Sequence, residues 1–129
     1  MSSTLLDTHT ILWLSDDSAR LSTEARKHIQ LPGVELFVSY VSAWEIAIKA
    51  GIGKLKLPQT PEDYLSKHLG LNGIRLLPIS LHSIFLAGRL PLHHRDPFDR
   101  LLVAQCLYAD IPIISHDIKF DAYGVKRIW

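Results

Sequence analysis

Four acidic residues lie where a fold of alternating strands and helices would bring them to one edge of a sheet. They are Asp7, Glu45, Asp99 and Asp117. Clustered carboxylates repel one another and raise at least one pKa, and a divalent cation relieves that repulsion. Magnesium prefers hard oxygen ligands and keeps several waters, so a few carboxylates suffice to hold it. Because the same ion can activate water and neutralise a phosphodiester, these residues predict metal-assisted phosphodiester hydrolysis.

The sequence around these acids alternates short apolar runs with segments of helical periodicity. Apolar runs predict strands over residues 4–6, 36–39, 74–79 and 111–115. Helical patterns cover residues 10–15, 22–30, 42–50, 62–69, 80–90 and 98–109. This alternation predicts an α/β fold with a parallel sheet covered on both faces, and ligand sites of such sheets lie beyond the C-terminal strand ends. Asp7 and Asp117 follow predicted strands, while Glu45 and Asp99 lie in first helical turns.

Composition favours an ordinary folded domain. The chain has 129 residues, of which 47% are hydrophobic and 21% charged, with a formal net charge of +1, which excludes disorder. No apolar run approaches the ~20 residues that a membrane span requires, and the N-terminus lacks the basic region of a signal peptide. Cys106 is the one cysteine, lies in an apolar run and is expected to be a buried thiol. We therefore expect one domain over residues 1–129, in the cytoplasm.

Some of the acids also have structural interpretations. Ser42 and Glu45 match a capping box, in which Glu45 would satisfy a backbone N–H, and Glu45 also precedes Lys49 by four residues. Asp96 fits the N-cap of the helix that follows it, and Asp117 fits a turn. Asp7 has the weakest alternative of this kind, because an unpaired acid between two apolar runs is unfavourable.

The histidines and basic residues are candidates for other contacts. His93 and His94 are adjacent and cannot ligate zinc from one helix face, so a structural zinc site is not expected. His9 and His116 stand beside site aspartates and are candidates for phosphate contacts. Basic residues near the acidic segments could either hold the phosphates of a polyanion or simply solubilise the surface; they are Lys49, Lys54, Lys56, Arg95 and Arg100.

Four blocks of sequence, taken in order, resemble the PIN-domain ribonucleases, and in particular VapC-type toxins of type II toxin–antitoxin modules. The blocks are LLDTHTILWL at 5–14, SAWEIAIKAGIGKLKL at 42–57, HRDPFDRLLVAQC at 94–106 and IISHDIKFDAYGV at 113–125. The resemblance covers nearly the whole chain. It implies a PIN-like three-layer α/β/α sandwich with a mostly parallel sheet of about five strands.

The resemblance also implies a site and an activity. The conserved acids of the family fall on Asp7, Glu45, Asp99 and Asp117, which would hold Mg²⁺, or Mn²⁺ in its place, in an endoribonuclease. Contacts behind these ligands would come from three residues: Ser115, where the family often has Thr, Asp96, which matches a loop acid, and Thr8. Lys49, Arg95 and Arg100 would contact RNA. The family further implies a cognate VapB-type antitoxin and either a toxin homodimer or a toxin–antitoxin hetero-oligomer, with no membrane association.

Two other functions compete with this interpretation. A phosphatase or phosphotransfer domain would use Asp7 as nucleophile, but phosphatases of that kind want D-x-D where this chain has Asp7-Thr8-His9. A binding module of the same fold would keep the acids and hold RNA or an antitoxin without turnover. A phosphoenzyme on Asp7 would support the first, and metal-independent RNA binding without cleavage would support the second.

Overall fold

A computed structural model describes residues 2–129 and shows one sheet flanked by helices. The strands are β1 (Ser2–Leu6), β2 (Val34–Ser39), β3 (Arg75–Leu77), β4 (Ile113–Ile114) and β5 (Arg127–Ile128). The helices are α1 (Thr8–Ser15), α2 (Thr23–Gln30), α3 (Tyr40–Gly51), α4 (Pro61–Asn72), α5 (Leu81–Arg89) and α6 (Pro97–Ala109), and a 3₁₀-helix covers Ile118–Tyr123. The strand order is β3-β2-β1-β4-β5, and every pairing is parallel.

Both faces of the sheet are buried. Leu5 pairs with Ile113, and both belong to a core shared with α6 and the 3₁₀-helix. Leu6 pairs with Ile114 one residue further on, and both belong to a second core shared with α1, α2, α3 and α4. Consecutive strand residues point to opposite faces, so Leu5 and Ile113 face one core while Leu6 and Ile114 face the other. The predicted three-layer α/β/α sandwich with a parallel sheet is confirmed.

Most helices begin where the sequence predicts, because a polar side chain caps the first turn. Ser22 and Asp96 cap α2 and α6 by accepting backbone N–H groups. The predicted start of α3 was two residues late, since Ser39 caps the helix instead. The predicted end of α4 near Gly70 was wrong: the helix continues to Asn72 and stops at Gly73, whose φ of 62° is in the left-handed region that favours glycine.

The short strands were the hardest elements to predict. The structure narrows the predicted strand over 74–79 to Arg75–Leu77 and the one over 111–115 to Ile113–Ile114. Neither β5 nor the 3₁₀-helix was assigned from the sequence. Two-residue strands carry too little periodic pattern to stand out from loops.

The order of the strands creates a crevice at the centre of the sheet. From β1 the chain adds β2 and β3 on one side and later adds β4 and β5 on the other. Segments leaving β1 and β4 therefore diverge at the C-terminal edge, where ligands bind in open parallel sheets.

Cys106 is buried as predicted, and burial raises the pKa of its thiol to about 12. Within residues 2–129, no helix is both long and apolar enough to cross a membrane.

Candidate active site

Asp7 leaves β1 at the crevice and caps α1. The backbone N–H of Thr10 donates to its Oδ1 at 2.8 Å, and the Thr10 hydroxyl lies 2.7 Å from the same atom. The hydroxyl of Ser115, which follows β4, donates to Oδ2. Burial raises the pKa of Asp7, although the donors from Ser115 and Thr10 act in the opposite direction. Ser115 therefore contacts a site carboxylate directly.

Glu45 projects from α3 and is held by two side chains. The hydroxyl of Thr8 donates to its Oε1 at 2.7 Å, and the ammonium of Lys49 lies 2.5 Å from its Oε2. Because Ser39 caps the helix, Ser42 lies inside α3, and its hydroxyl contacts that of Thr8 at 2.9 Å. The capping-box interpretation of Glu45 is therefore wrong, whereas its pair with Lys49 is present. Glu45 is only 4% exposed, which makes it a constrained acid rather than a surface one.

Asp99, in the first turn of α6, is the carboxylate on which the others converge. Burial raises its pKa to about 8, and the nearby charges of Asp96, Asp7, Glu45 and Asp117 raise it in the same direction. The structure thus brings together all four acids proposed from the sequence. At neutral pH in the absence of a cation, Asp99 is largely protonated.

Asp117 is the most exposed of the four acids and behaves differently. Its carboxylate caps the 3₁₀-helix by accepting the backbone N–H of Lys119 at 2.9 Å. The backbone N–H of Asp117 donates to the hydroxyl of Ser115 at 3.0 Å. Burial alone would raise its pKa, but the Lys119 N–H and the contact with His94 outweigh that and hold the pKa below its ordinary value. Asp117 is consequently ionised at neutral pH, and the predicted turn role holds alongside its place in the cluster.

His94 is a site residue that sequence reasoning missed. Its Nε2 lies 2.9 Å from Oδ2 of Asp99 and 2.8 Å from Oδ2 of Asp117, so one imidazole bridges two carboxylates at the candidate ion position. The ring belongs to the loop before α6, which Tyr123 fixes by accepting the His94 backbone N–H at 2.8 Å and donating to the carbonyl of Pro91 at 2.6 Å. Its position just before the Arg-Asp-Pro run of the third sequence block was the available signal.

Asp96 supports this loop rather than the ion position. Its carboxylate accepts the N–H groups of Phe98 at 2.8 Å and Asp99 at 3.4 Å, which makes it the N-cap of α6 as predicted. Its own backbone N–H donates to Nδ1 of His94 at 3.2 Å. Asp96 therefore orients both Asp99 and His94.

The basic candidates occupy three different situations. Lys49 is partly exposed and bound to Glu45 at the edge of the cluster, and Arg95 is exposed beside His94. Arg100 instead donates to the carbonyls of Ala87 and Leu90 at 2.7 and 2.9 Å, where it caps the end of α5. Lys49 and Arg95 remain available for a polyanion, whereas the contacts of Arg100 are structural.

The environment of Asp7 argues against its acting as a nucleophile. A phosphatase or phosphotransfer domain would need one free oxygen facing solvent. Both oxygens of Asp7 accept hydrogen bonds from buried hydroxyls, and the side chain is 5% exposed. A group of hard oxygen donors with one imidazole fits a divalent cation better.

Comparison with known proteins agrees with this geometry. The model of the PIN-domain family matches residues 4–126, so the chain belongs to that family. No curated protein sequence matches it significantly.

Solved structures share the fold at low sequence identity. VapBC2 from Rickettsia felis, bound to a DNA fragment from its promoter, aligns with a TM-score of 0.73 and 14% identity over 98% of this chain and 99% of that chain. VapBC-1 from nontypeable Haemophilus influenzae aligns with a TM-score of 0.66 and 18% identity over 97% and 96%. VapBC-5 from Mycobacterium tuberculosis, a member of the VapBC family of toxin–antitoxin systems, aligns with a TM-score of 0.62 and 16% identity. The alignment covers 99% of this chain and 98% of that chain.

Proposed function

We propose that this PIN domain is a divalent-metal-dependent endoribonuclease and the toxin of a VapBC-type toxin–antitoxin pair. The observation that carries the proposal is the convergence of Asp7, Glu45 and Asp117 on Asp99, whose pKa their charges help to raise to about 8. Like charges gathered in this way are unfavourable unless a cation binds among them. Function belongs to the site rather than the fold, so the acids carry the argument.

The residues present fit Mg²⁺ or Mn²⁺. Asp7, Glu45, Asp99 and Asp117 would hold the ion directly or through its waters, and each of these carboxylates keeps at least one lone pair beyond the hydrogen bonds it already accepts. When bound, such an ion lowers the pKa of water and neutralises charge on a phosphodiester. The ion would also have to compete with Lys49 for Glu45, since Nζ of Lys49 lies 2.5 Å from Oε2 of Glu45.

The chain's own residues would then arrange the substrate. Lys49 and Arg95 lie at the edge of the acidic cluster, where they would contact phosphates of the RNA strand. Asp117 is ionised at neutral pH and would accept the hydrogen bond that orients the attacking water. In-line attack by that water at phosphorus would break the bond between phosphorus and the 3′ oxygen, leaving a 5′-phosphate and, once the departing oxygen takes up a proton, a 3′-hydroxyl. Ser115 and Thr8 would keep Asp7 and Glu45 in place through their hydroxyls.

The partners follow from the same comparison. The neighbours in fold are described as VapBC proteins, one of them as a toxin–antitoxin system, which supports a cognate VapB-type antitoxin for this chain. Large apolar side chains on α3, at its C-cap and on α5 are exposed and would suit such a partner or a second copy in a homodimer; they are Trp44, Ile52, Leu81 and Phe85. The activity would be exercised in the cytoplasm, where the RNA substrate is.

Expression in bacterial cells tests the proposal. Induction of the chain is expected to arrest growth and to create new RNA ends bearing a 5′-phosphate, whereas Asp7→Asn at equal protein level should do neither. Growth arrest that persists in Asp7→Asn would contradict a nuclease at this site. RNA bound by the purified chain without new ends, with or without metal, would favour the binding module instead.

A further inference from the structure

A second feature of the crevice edge is an aromatic cleft that adjoins the acidic cluster. It has a volume of about 750 Å³ and is lined by His9, Trp13, Arg20, His116, Asp117 and Ile118. Asp117 belongs to both, so whatever occupies the cleft lies next to the candidate ion position. None of the other lining residues takes part in the acidic cluster described above.

Trp13 is the centre of the cleft. Its ring lies 5.5 Å from that of His9, with the planes 29° apart, and 5.9 Å from that of His116, which meets it edge to face at 74°. Trp129 packs against it at 5.7 Å, and Trp13 also contacts the core beneath α1. Trp13 is therefore held rigidly, while His9 and His116 remain exposed.

The cleft also carries a cation. The guanidinium carbon of Arg20 lies 5.9 Å from the centroid of the Trp13 ring, at the distance of a cation–π contact. The side chain is exposed, so this contact adds little to stability. Its position gives the aromatic wall a positive rim.

The backbone fixes how far the cleft lies from the acids. His9 follows Asp7 by two residues at the start of α1, and His116 immediately precedes Asp117 after β4. The aromatic walls thus come from the same two segments that supply carboxylates to the crevice. A ligand part seated in the cleft therefore lies against residues that are neighbours in sequence of Asp7 and Asp117.

We infer that the cleft holds one unstacked base of single-stranded RNA, belonging to a nucleotide beside the phosphate presented to the acidic cluster. The inference rests on the proposed function. Flat ring faces with an arginine at their edge are the features by which proteins bind unpaired bases. An apolar peptide side chain would need neither the exposed imidazoles nor the guanidinium. The cleft would therefore fix the position of the nucleotide next to the cut, with little preference for which base it carries.

Binding of a fluorescent RNA tests the inference directly. The probe is a short single-stranded RNA carrying 2-aminopurine at successive positions, whose fluorescence falls when the base stacks. Asp99→Asn serves as the background so that the RNA stays intact. We expect quenching at one position only, and about five- to thirty-fold weaker binding when His116→Ala or Arg20→Ala is added. Trp13 packs on the core, so these two exposed residues carry the test.

Matched controls separate this cleft from general surface effects. His82 is also an exposed histidine stacked on an aromatic ring, that of Tyr108 at 5.5 Å, and Arg89 is an exposed arginine at the end of α5. His82→Ala and Arg89→Ala should leave binding unchanged, and thermal melting should show that all variants fold.

The outcomes distinguish this inference from the proposed function. Unchanged binding and quenching in both cleft variants would overturn the subsite, even if the wild-type chain cleaves RNA. Quenching that depends on the cleft in a chain that never cleaves RNA would support the subsite while the nuclease proposal fails. If His116→Ala and Arg20→Ala lose binding to a peptide of the cognate antitoxin but still bind RNA, the cleft belongs to a protein partner and the inference is overturned.

Discussion

The imidazole Nε2 of His94 lies 2.9 Å from Oδ2 of Asp99. The same nitrogen is 2.8 Å from Asp117, so one ring bridges an acid on α6 and an acid after β4. Because Nδ1 accepts the backbone N–H of Asp96, the ring proton of the neutral tautomer lies on Nε2 and faces both carboxylates. His94 therefore holds together two acids that repel each other.

Removing this ring should weaken the site. We expect His94→Gln to bind Mn²⁺ more weakly and to lower RNA cleavage by about 10–100-fold, as the loss of groups that orient metal ligands commonly does. Calorimetric titration with Mn²⁺ measures the first effect without relying on activity. His93→Gln is the matched control, because that neighbour is exposed and packs on Tyr123 instead. Equal effects of the two substitutions would contradict a specific role for His94.

Neutralising Asp99 should stabilise the metal-free protein while abolishing cleavage. The pKa of Asp99 is raised to about 8 in the folded chain but stays near its ordinary value in the unfolded chain. As the pH rises from about 4 to 8, the unfolded chain therefore loses this proton first, and the free energy of unfolding falls. Asp99→Asn lacks that loss and should gain up to about 5 kcal/mol over wild type at about pH 8.5 in EDTA, because one pKa unit corresponds to about 1.4 kcal/mol. Its advantage should be small at about pH 5.

Thermal melting at the two pH values measures this difference. Asp63→Asn is a suitable control, since Asp63 is an exposed acid in the first turn of α4, the same helical position as Asp99 in α6, and lies outside the cluster. A lower melting temperature for metal-free Asp99→Asn at the higher pH would show that the acid is structurally required rather than repelled.

Ion binding should release a proton. Near neutral pH a carboxyl with a pKa of about 8 is largely protonated, and an ion that uses Asp99 as ligand displaces that proton. Calorimetric titration with Mn²⁺ in two buffers of different ionisation enthalpy should give release approaching one proton per ion. Release should fall away, and affinity rise, as the pH is raised to about 9. Identical apparent enthalpies in both buffers near neutral pH would speak against Asp99 as a ligand.

The hydroxyl of Ser115 should matter more than its packing. Its hydrogen bond lowers the pKa of Asp7, so Ser115→Ala should raise that pKa further and weaken ion binding near neutral pH. We expect about 10-fold slower cleavage and a loss of about 1 kcal/mol in the free energy of unfolding. Ser115→Thr keeps the hydroxyl and should retain most activity.

Ser83 offers the control for this comparison. It is buried in α5 and bonds to Ser80, so Ser83→Ala removes a buried hydroxyl outside the acidic cluster. Comparable losses of cleavage in Ser83→Ala and Ser115→Ala would mean that general stability, rather than the contact to Asp7, explains the effect.

The sequence predicted the layers of this fold because apolar runs and caps are local signals. Leu5-Leu6 and Ile113-Ile114 read as buried strand before any pairing is known, and Asp96 reads as a cap because proline follows it. It did not reveal β5, because Arg127–Ile128 forms a strand only by pairing with β4. Such an element depends on tertiary contacts, which leave no periodicity in so short a stretch.

The site shows the same division. The four acids could be proposed from strand ends, helix starts and the ordered blocks. The role of His94 could not be proposed in this way, because it arises from a loop that is fixed by Tyr123, 29 positions further along the chain. That Asp7 also caps α1 was missed, since its helix begins at Thr8, earlier than the apolar pattern suggested.

Cleavage of RNA by the purified chain, free of antitoxin, tests the central claim most directly. The reaction is run with Mg²⁺ or Mn²⁺, with EDTA, and with Asp99→Asn in place of wild type. The account predicts cleavage by wild type with either ion, and none in EDTA or with Asp99→Asn. Cleavage that survives both EDTA and the substitution would contradict a metal-dependent nuclease centred on Asp99.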